Sequence, residues 1–226
     1  MDRRMFLGAS GALAACAALP LRAGAGSSLA MDLDVVRAAI SIHPGARRYL
    51  TEAGLARALD ELERAYLRAQ SLPARFLALS GFLAKLKCGH THCNFYNQGD
   101  AIADDLFDRR TRLPFLFRWI DRQMVVTRDL SGSGRLPPGT IVTAIDGRAP
   151  AAILASLLPL ARADGGNEAK RVAQMGVTGG ERFSAFDIFQ GLLFPPEDGV
   201  FSIAFEPPGG APATARLPAL SAEERL

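Results

Sequence analysis

The sequence contains few of the side chains from which metal sites are built. Its 226 residues include three cysteines and three histidines, and four of these six fall within positions 88–93. Outside that cluster only Cys16 and His43 remain. Because structural zinc sites usually take ligands from two separated pairs, the missing second pair argues against zinc. No metal and no cofactor is predicted, and a small exported Cys/His zinc protein is kept only as a further alternative.

Other features are absent as well. The sequence has no internal repeat, no low-complexity block and no clustered basic stripe, and its formal net charge is only +3. Nucleic acid is therefore not a predicted partner. With 49% hydrophobic and 22% charged residues, the chain has the composition of a folded globular protein rather than a disordered one.

The first 25 residues have the layout of an export signal. Arg3 and Arg4 precede an apolar stretch, and small residues follow at positions 23–25. This order is typical of a secretory signal peptide, and the paired arginines resemble a twin-arginine signal. The apolar stretch is too short for a good membrane span. We therefore predict a signal peptide at 1–25 and a mature protein in the periplasm or cell envelope.

Cys16 offers an alternative way of processing the same segment. The sequence Leu-Ala-Ala-Cys at 13–16 resembles a lipobox, in which the cysteine becomes a lipidated N-terminus. The apolar run continues past Cys16, which favours cleavage after Ala25. A membrane association is predicted only if Cys16 is lipidated, and both routes lead out of the cytoplasm. There the cysteines at 88 and 93 can become oxidised.

Residues 32–87 carry the pattern of two or three packed helices. Asp32 or Asp34 is a candidate N-cap for the first helix, and the His-Pro-Gly sequence at 43–45 ends it. Thr51 is a candidate cap for a second helix, and Pro73 suits the first turn of a third. The second helix has one apolar face, formed by Leu55, Leu59, Leu62 and Tyr66.

The rest of the chain alternates between strand and helix patterns. Residues 88–112 are irregular, and 113–130 predict a β-hairpin that turns at Asp121-Arg122. A loop at 131–139, a short strand ending at Asp146-Gly147, two helical stretches and a final hairpin follow. The predicted fold class is α+β, with a small helical bundle (26–100) before a strand and helix module (101–226).

The Cys/His cluster leaves several interpretations open. Four residues separate Cys88 from Cys93, which is enough for a disulfide loop in an exported protein. Two free thiols are the equal alternative, because cysteine is often buried unpaired. If the segment is extended, Cys88, His90 and His92 share a face and Cys93 points away, which is poor geometry for zinc.

Four segments, in order, resemble the N-terminal half of secreted serine peptidases of the tail-specific (C-terminal processing) and tricorn-like family. The last of them resembles the PDZ-like module of these peptidases. Together the likeness spans nearly all of residues 32–220. The segments are DLDVVRAAISIHPGARRYL, KCGHTHCNFYNQ, LPFLFRWIDRQMVVTRDL and LPPGTIVTAIDGRAPAAILASLLPL.

The resemblance implies a role for His90. In the tricorn-like branch, a histidine after the N-terminal helices is the general base that takes a proton from the nucleophilic serine. His90, in Cys-Gly-His-Thr, is the matching position, and imidazole titrates near neutrality as this task requires. Gly89 permits close approach of the backbone, and Thr91 is a candidate to fix the ring.

The same family places its nucleophile in a later crotonase-like domain. No serine here has a persuasive catalytic setting: Ser80 is within a helix, Ser131 and Ser133 lie in a loop, and Ser184 looks like a helix cap. A base without a nucleophile performs no acyl transfer. We therefore expect a truncated, inactive peptidase part, and interpret residues 220–226 as the start of a linker.

A binding role is the second hypothesis. The PDZ-like part is expected to hold peptide or protein C-terminal tails by adding them as a strand to a sheet edge, with the terminal carboxylate near residues 135–142. A module without its catalytic partner domain is also expected to expose an apolar face and to self-associate through it.

Overall fold

The computed structural model describes residues 25–226. Most of the predicted signal peptide, together with Cys16, lies outside the described residues. Within them the chain forms helices followed by a five-stranded antiparallel sheet, so the predicted α+β class is confirmed. No helix among residues 25–226 is both long and apolar enough to cross a membrane.

Seven α-helices occur in the part of the chain that the structure describes. The bounds are α1 Ala25–Ile42, α2 Glu52–Arg68, α3 Leu72–Lys85, α4 Asp100–Leu106, α5 Pro150–Leu157, α6 Glu168–Ala173 and α7 Ala185–Leu193. Short 3₁₀ turns follow α5 at Leu158–Leu160 and precede the fourth strand at Glu197–Gly199.

The five strands form a simple meander in which each strand pairs with the next. Their bounds are β1 Phe115–Ile120, β2 Gln123–Asp129, β3 Ile141–Ile145, β4 Val200–Glu206 and β5 Ala213–Pro218. β3 therefore lies in the centre of the sheet, between β2 and β4, and β1 and β5 form its two edges.

The predicted helix signals in the first part are mostly correct. Thr51 Oγ1 accepts a hydrogen bond from Gly54 N and caps α2, and Ser71 caps α3 with Pro73 in its first turn. The start of α1 was predicted wrongly, because the helix begins at Ala25 and contains both Asp32 and Asp34. Aspartate is tolerated within a helix, so its presence does not by itself mark a boundary.

Both predicted two-residue turns are confirmed. Asp121 and Arg122 have φ of 48° and 63°, and Asp146 and Gly147 have φ of 49° and 74°. Left-handed residues at both central positions are the mark of the hairpin turn whose twist matches that of the flanking strands. The Asp121-Arg122 turn sets the register in which Ile120 faces Gln123 across β1 and β2.

Two short helices were missed. Residues 88–112 are irregular as predicted except for α4, and α6 was not predicted at all. Both helices have seven residues or fewer, which is too short for a repeating apolar pattern to appear. Tertiary contacts, rather than periodicity, support such short helices.

Two hydrophobic clusters fill the interior. The smaller one lies among α1, α2 and α3, and the larger one lies between the sheet and its helices, where α5 packs against β2, β3 and α7. Helix α3 serves both, since Phe82 belongs to the first cluster and Phe76 to the second. The predicted domain boundary near residue 100 stays a prediction.

The last residues are packed against the sheet region, contrary to their interpretation as the start of a linker. Ala222 and Arg225 are buried, and Arg225 forms a buried ion pair with Asp187 of α7 at 3.1 Å. Arg225 Nη1 also donates a hydrogen bond to the Leu113 carbonyl at 2.8 Å. Charged residues near a chain end look solvated in sequence, and only the fold reveals this partner.

Candidate functional site: the Cys-Gly-His-Thr turn and the adjoining cavity

The predicted Cys-Gly-His-Thr motif forms a tight turn directly after α3. Lys87 adopts a left-handed backbone with φ of 52°, which redirects the chain at the end of the helix. Thr91 N then donates a hydrogen bond to the Cys88 carbonyl at 3.1 Å. Gly165 N donates to the Lys87 carbonyl at 2.9 Å, so the loop before α6 also holds this turn in place.

His43 anchors the turn from the other side. Its Nδ1 accepts a hydrogen bond from Gly45 N at 3.0 Å, so the ring proton must be on Nε2. Nε2 lies 2.7 Å from Thr91 Oγ1 and donates to it. Thr91 was predicted as a candidate to fix the His90 ring, but its hydroxyl oxygen instead accepts from His43, 48 residues earlier.

The two cysteines of the cluster have opposite environments. The Thr91 hydroxyl and the His90 backbone N–H lower the pKa of the Cys88 thiol. Burial raises the pKa of the Cys93 thiol. Both are free thiols in the structure, which is one of the two alternatives left open by the sequence; the disulfide between them stays a prediction.

His90, the predicted general base, is exposed on this turn. No protein group among residues 25–226 forms a hydrogen bond with its ring that meets ordinary geometry. Asp164 lies close enough to His90 for their charges to interact. The pKa of the Asp164 carboxyl is lowered mainly by its hydrogen bond and charge pairing with Lys170, and the charge on His90 lowers it further. The imidazole is therefore held on a fixed turn, beside a carboxylate, and remains accessible.

Three of the four serines considered as nucleophiles are engaged in local hydrogen bonds, and the fourth, Ser80, is buried within α3. Ser131 and Ser133 hydrogen-bond to each other, and Ser131 also binds Asp129. Ser184 caps α7 through Asp187 N, as predicted. In residues 25–226 no serine hydroxyl is hydrogen-bonded to a histidine, so this part of the chain contains no assembled Ser–His pair.

The zinc alternative finds no support in this geometry. In the described part of the chain, no three side chains of histidine, cysteine, aspartate or glutamate come together in a way that suits a metal ion. Asp164, the carboxylate beside the turn, is already paired with Lys170 Nζ at 2.7 Å.

A cavity of about 380 Å³ opens beside the turn. One side of the cavity is formed by α3 and residues 92–96. The other side is formed by α6, by residues 160–162 after α5 and by the start of α7. His92 and Cys93 line it, but His90 does not. Burial, followed by the charge on Arg162, lowers the pKa of His92. The cavity was not predicted, because its walls come from five separate segments.

The chain is similar in fold to part of CPAF, a chlamydial serine protease that resembles tail-specific proteases. Mature CPAF complexed with lactacystin matches with a TM-score of 0.58 and 14% identity, and mature CPAF by itself with 0.58 and 15%. A serine-to-alanine mutant of the same protein matches with 0.57 and 15%.

Each of these matches covers 85% of this chain and 34% of CPAF. The chain thus spans about a third of the length of the solved structures that it resembles. No protein-family model matches the sequence, and no curated protein sequence matches it significantly. At this level of identity the likeness establishes the fold, and it agrees with the family resemblance seen in the sequence at that coarse level.

Proposed function

We propose that this chain is the helical and PDZ-like part of an exported serine peptidase related to the tail-specific proteases. The observation that carries the proposal is the fold that 85% of this chain shares with 34% of CPAF, a serine protease. The ordered segments that resemble the family, one of which contains His90, support the same conclusion.

In this proposal His90 is the general base. Its imidazole projects from a turn held by His43 through Thr91 and by Gly165, and Asp164 lies close enough to stabilise the imidazolium that forms. The nucleophilic hydroxyl is supplied by a residue beyond those described here. A base so placed takes the serine proton during attack on the peptide carbonyl and returns it to the leaving amine.

Two experiments test this role. The coding sequence downstream should contain, in some frame, a catalytic domain with a nucleophilic serine. In the joined protein, His90→Ala should lower kcat by about 10²–10⁴-fold, the usual contribution of a positioned base. Asn97→Ala, an exposed change nearby, is the matched control.

Two outcomes would contradict the proposal. One is labelling of residues 26–226 alone by a fluorophosphonate, a reagent for activated serines. The other is full activity of the joined His90→Ala enzyme.

Peptide-tail binding is the second candidate function, and the sheet topology limits where strand addition can occur. β3 has a neighbour on each side, so a tail cannot pair beside residues 141–145. Phe117 of β1 already exchanges two backbone hydrogen bonds with Val177, at 2.9 and 3.0 Å.

Strand addition would therefore use the outer edge of β5. The backbone of Thr214 and Arg216 faces away from β4, because backbone groups alternate along a strand and Ala219 N bonds to Gly199 on the β4 side. Replacing Thr214 or Arg216 by proline therefore tests whether pairing at β5 is involved.

Export is also part of the proposal. The predicted twin-arginine signal places the mature chain in the periplasm or cell envelope. Replacement of Arg3 and Arg4 by lysine should retain the protein in the cytoplasm, and fractionation followed by immunoblotting reads this out. Unchanged export of the Lys-Lys variant would contradict the twin-arginine route.

A further inference from the structure

The cavity beside the Cys-Gly-His-Thr turn has an aromatic wall. Phe95 and Phe189 meet edge to face with ring centroids 6.2 Å apart, and Tyr96 lies 5.6 Å from Phe183. All four side chains line the cavity. A volume of about 380 Å³ lies within the range of about 300–1,000 Å³ that is usual for small-molecule sites. An apolar group of single-residue size therefore fits against this wall.

Ser80 is a buried polar group in the lining, 3% exposed. Its hydroxyl has no partner at ordinary hydrogen-bond geometry within residues 25–226, but it lies close enough to the Cys93 thiol to lower the pKa of that thiol, against the larger effect of burial. Ser80 and Cys93 therefore form a short polar stretch in the wall of the cavity.

The lining also carries one guanidinium that has no carboxylate partner. Arg162 is exposed, and its Nε donates to Gln174 Oε1 at 3.1 Å. No ion pair joins Arg162 to an acid in the described part of the chain. Its terminal N–H groups remain available in the fork geometry that suits a carboxylate. Glu181 is the only acid among the lining residues described, and it can accept an amide N–H.

We propose that this cavity binds an N-acylated apolar amino acid with a free carboxylate. The apolar side chain packs against Phe95, Phe183 and Phe189, the carboxylate binds Arg162, and the amide N–H donates to Glu181. The C-terminal residue of a peptide and a free N-acyl amino acid share this chemistry. The site is separate from any strand addition at β5, because none of its lining residues belongs to that strand.

Binding of three probes to residues 26–226 tests the proposal. N-acetyl-phenylalanine should bind saturably in calorimetry, and N-acetyl-phenylalaninamide, which lacks the charge, should bind at least tenfold more weakly. Acetyl-Ala-Ala-Phe with a free carboxylate separates the two sources: binding as tight as the single residue or tighter indicates a peptide tail. Binding of N-acetyl-phenylalanine alone indicates a small free acid.

Variants locate the site. Arg162→Gln should weaken the free acids at least tenfold and leave the amide unchanged, whereas the matched change Arg128→Gln on the exposed side of β2 should affect neither. Ala173→Leu, at an exposed lining position, should weaken acid and amide alike, with an unchanged melting temperature showing that the variant folds.

Three results would overturn the inference. Equal affinity for acid and amide removes the role of Arg162, and absence of binding by any probe removes the site. Tight binding that neither Arg162→Gln nor Ala173→Leu alters places the ligand elsewhere. In that last case the cavity site would be wrong, but peptide-tail binding elsewhere on the chain would still stand. The experiment therefore distinguishes failure of the cavity site from failure of the peptide-tail role.

Discussion

His43 Nε2 donates a hydrogen bond to Thr91 Oγ1 at 2.7 Å, which ties the corner after α1 to the turn that carries His90. Gly45 N fixes the tautomer of the same ring by donating to Nδ1. The Thr91 hydroxyl, having accepted from His43, keeps its own proton for the Cys88 sulfur. A histidine outside the motif thus organises the motif.

Cys88 is expected to react with alkylating agents at lower pH than an ordinary thiol. The Thr91 hydroxyl and the His90 N–H lower the pKa of its thiol, and the thiolate is the reactive form. As pH rises, alkylation of a Cys93→Ser variant of residues 26–226 should therefore reach half its maximum below the usual value of about 8.5. Iodoacetamide labelling followed by mass spectrometry measures this.

The matched variants for this experiment change Thr91. Thr91→Val removes the hydroxyl and should shift the alkylation midpoint upward, whereas Thr91→Ser should restore it. The reciprocal Cys88→Ser protein should label slowly at every pH near neutrality, because burial raises the pKa of Cys93. Identical profiles for wild type and Thr91→Val would contradict the assignment.

The buried Asp187–Arg225 pair is expected to contribute strongly to stability. The two side chains are 5% and 3% exposed, so removing one charge leaves the other buried and uncompensated. Asp187→Asn should lower the free energy of unfolding by about 3 kcal/mol. Urea denaturation followed by circular dichroism measures the change.

A second ion pair provides the control for this comparison. Arg110 and Glu224 join the same C-terminal segment to the sheet region, but their side chains are 53% and 43% exposed. Arg110→Met should cost less than about 1 kcal/mol, because water screens exposed pairs. Equal losses of unfolding free energy in Asp187→Asn and Arg110→Met would show that burial does not determine how much each ion pair contributes to stability.

The β1–β2 turn can be improved. Asp121 and Arg122 both have positive φ, a conformation that strains residues other than glycine and, to a lesser degree, asparagine. Replacement by Asn-Gly should raise the free energy of unfolding by up to about 1 kcal/mol. Gly209→Ala, at φ of 66°, should change stability in the opposite direction. A lower melting temperature for the Asn-Gly variant would contradict this.

Self-association is expected to use the outer face of α1. Met31, Val35 and Ile42 are spaced along one side of the helix and are 53%, 69% and 84% exposed. The double change Val35→Lys and Ile42→Lys should reduce association in sedimentation velocity. Lysines at Thr127 and Ser202, exposed strand positions, add the same charge elsewhere. An equal effect of both pairs would indicate simple charge repulsion.

Much of the local structure could be predicted from short stretches of sequence. The hairpin at 113–130, the caps at Thr51 and Ser184 and the α+β class depend on side chains within a few residues of each other. The candidate site was predicted only in part. The turn with His90 was identified, but its support by His43 and Gly165 joins residues far apart in the chain.

The sequence by itself determined the strands, the two tight turns and most of the longer helices, because capping, apolar periodicity and turn chemistry act over a few neighbouring residues. It did not determine the short helices α4 and α6 or the start of α1. Only the tertiary structure decided that His43 holds Thr91, that Arg225 is buried against Asp187, and that Ser80 and Arg162 line one cavity. These contacts join segments separated by tens of residues. Their energy comes from burial and mutual orientation, which no single segment encodes.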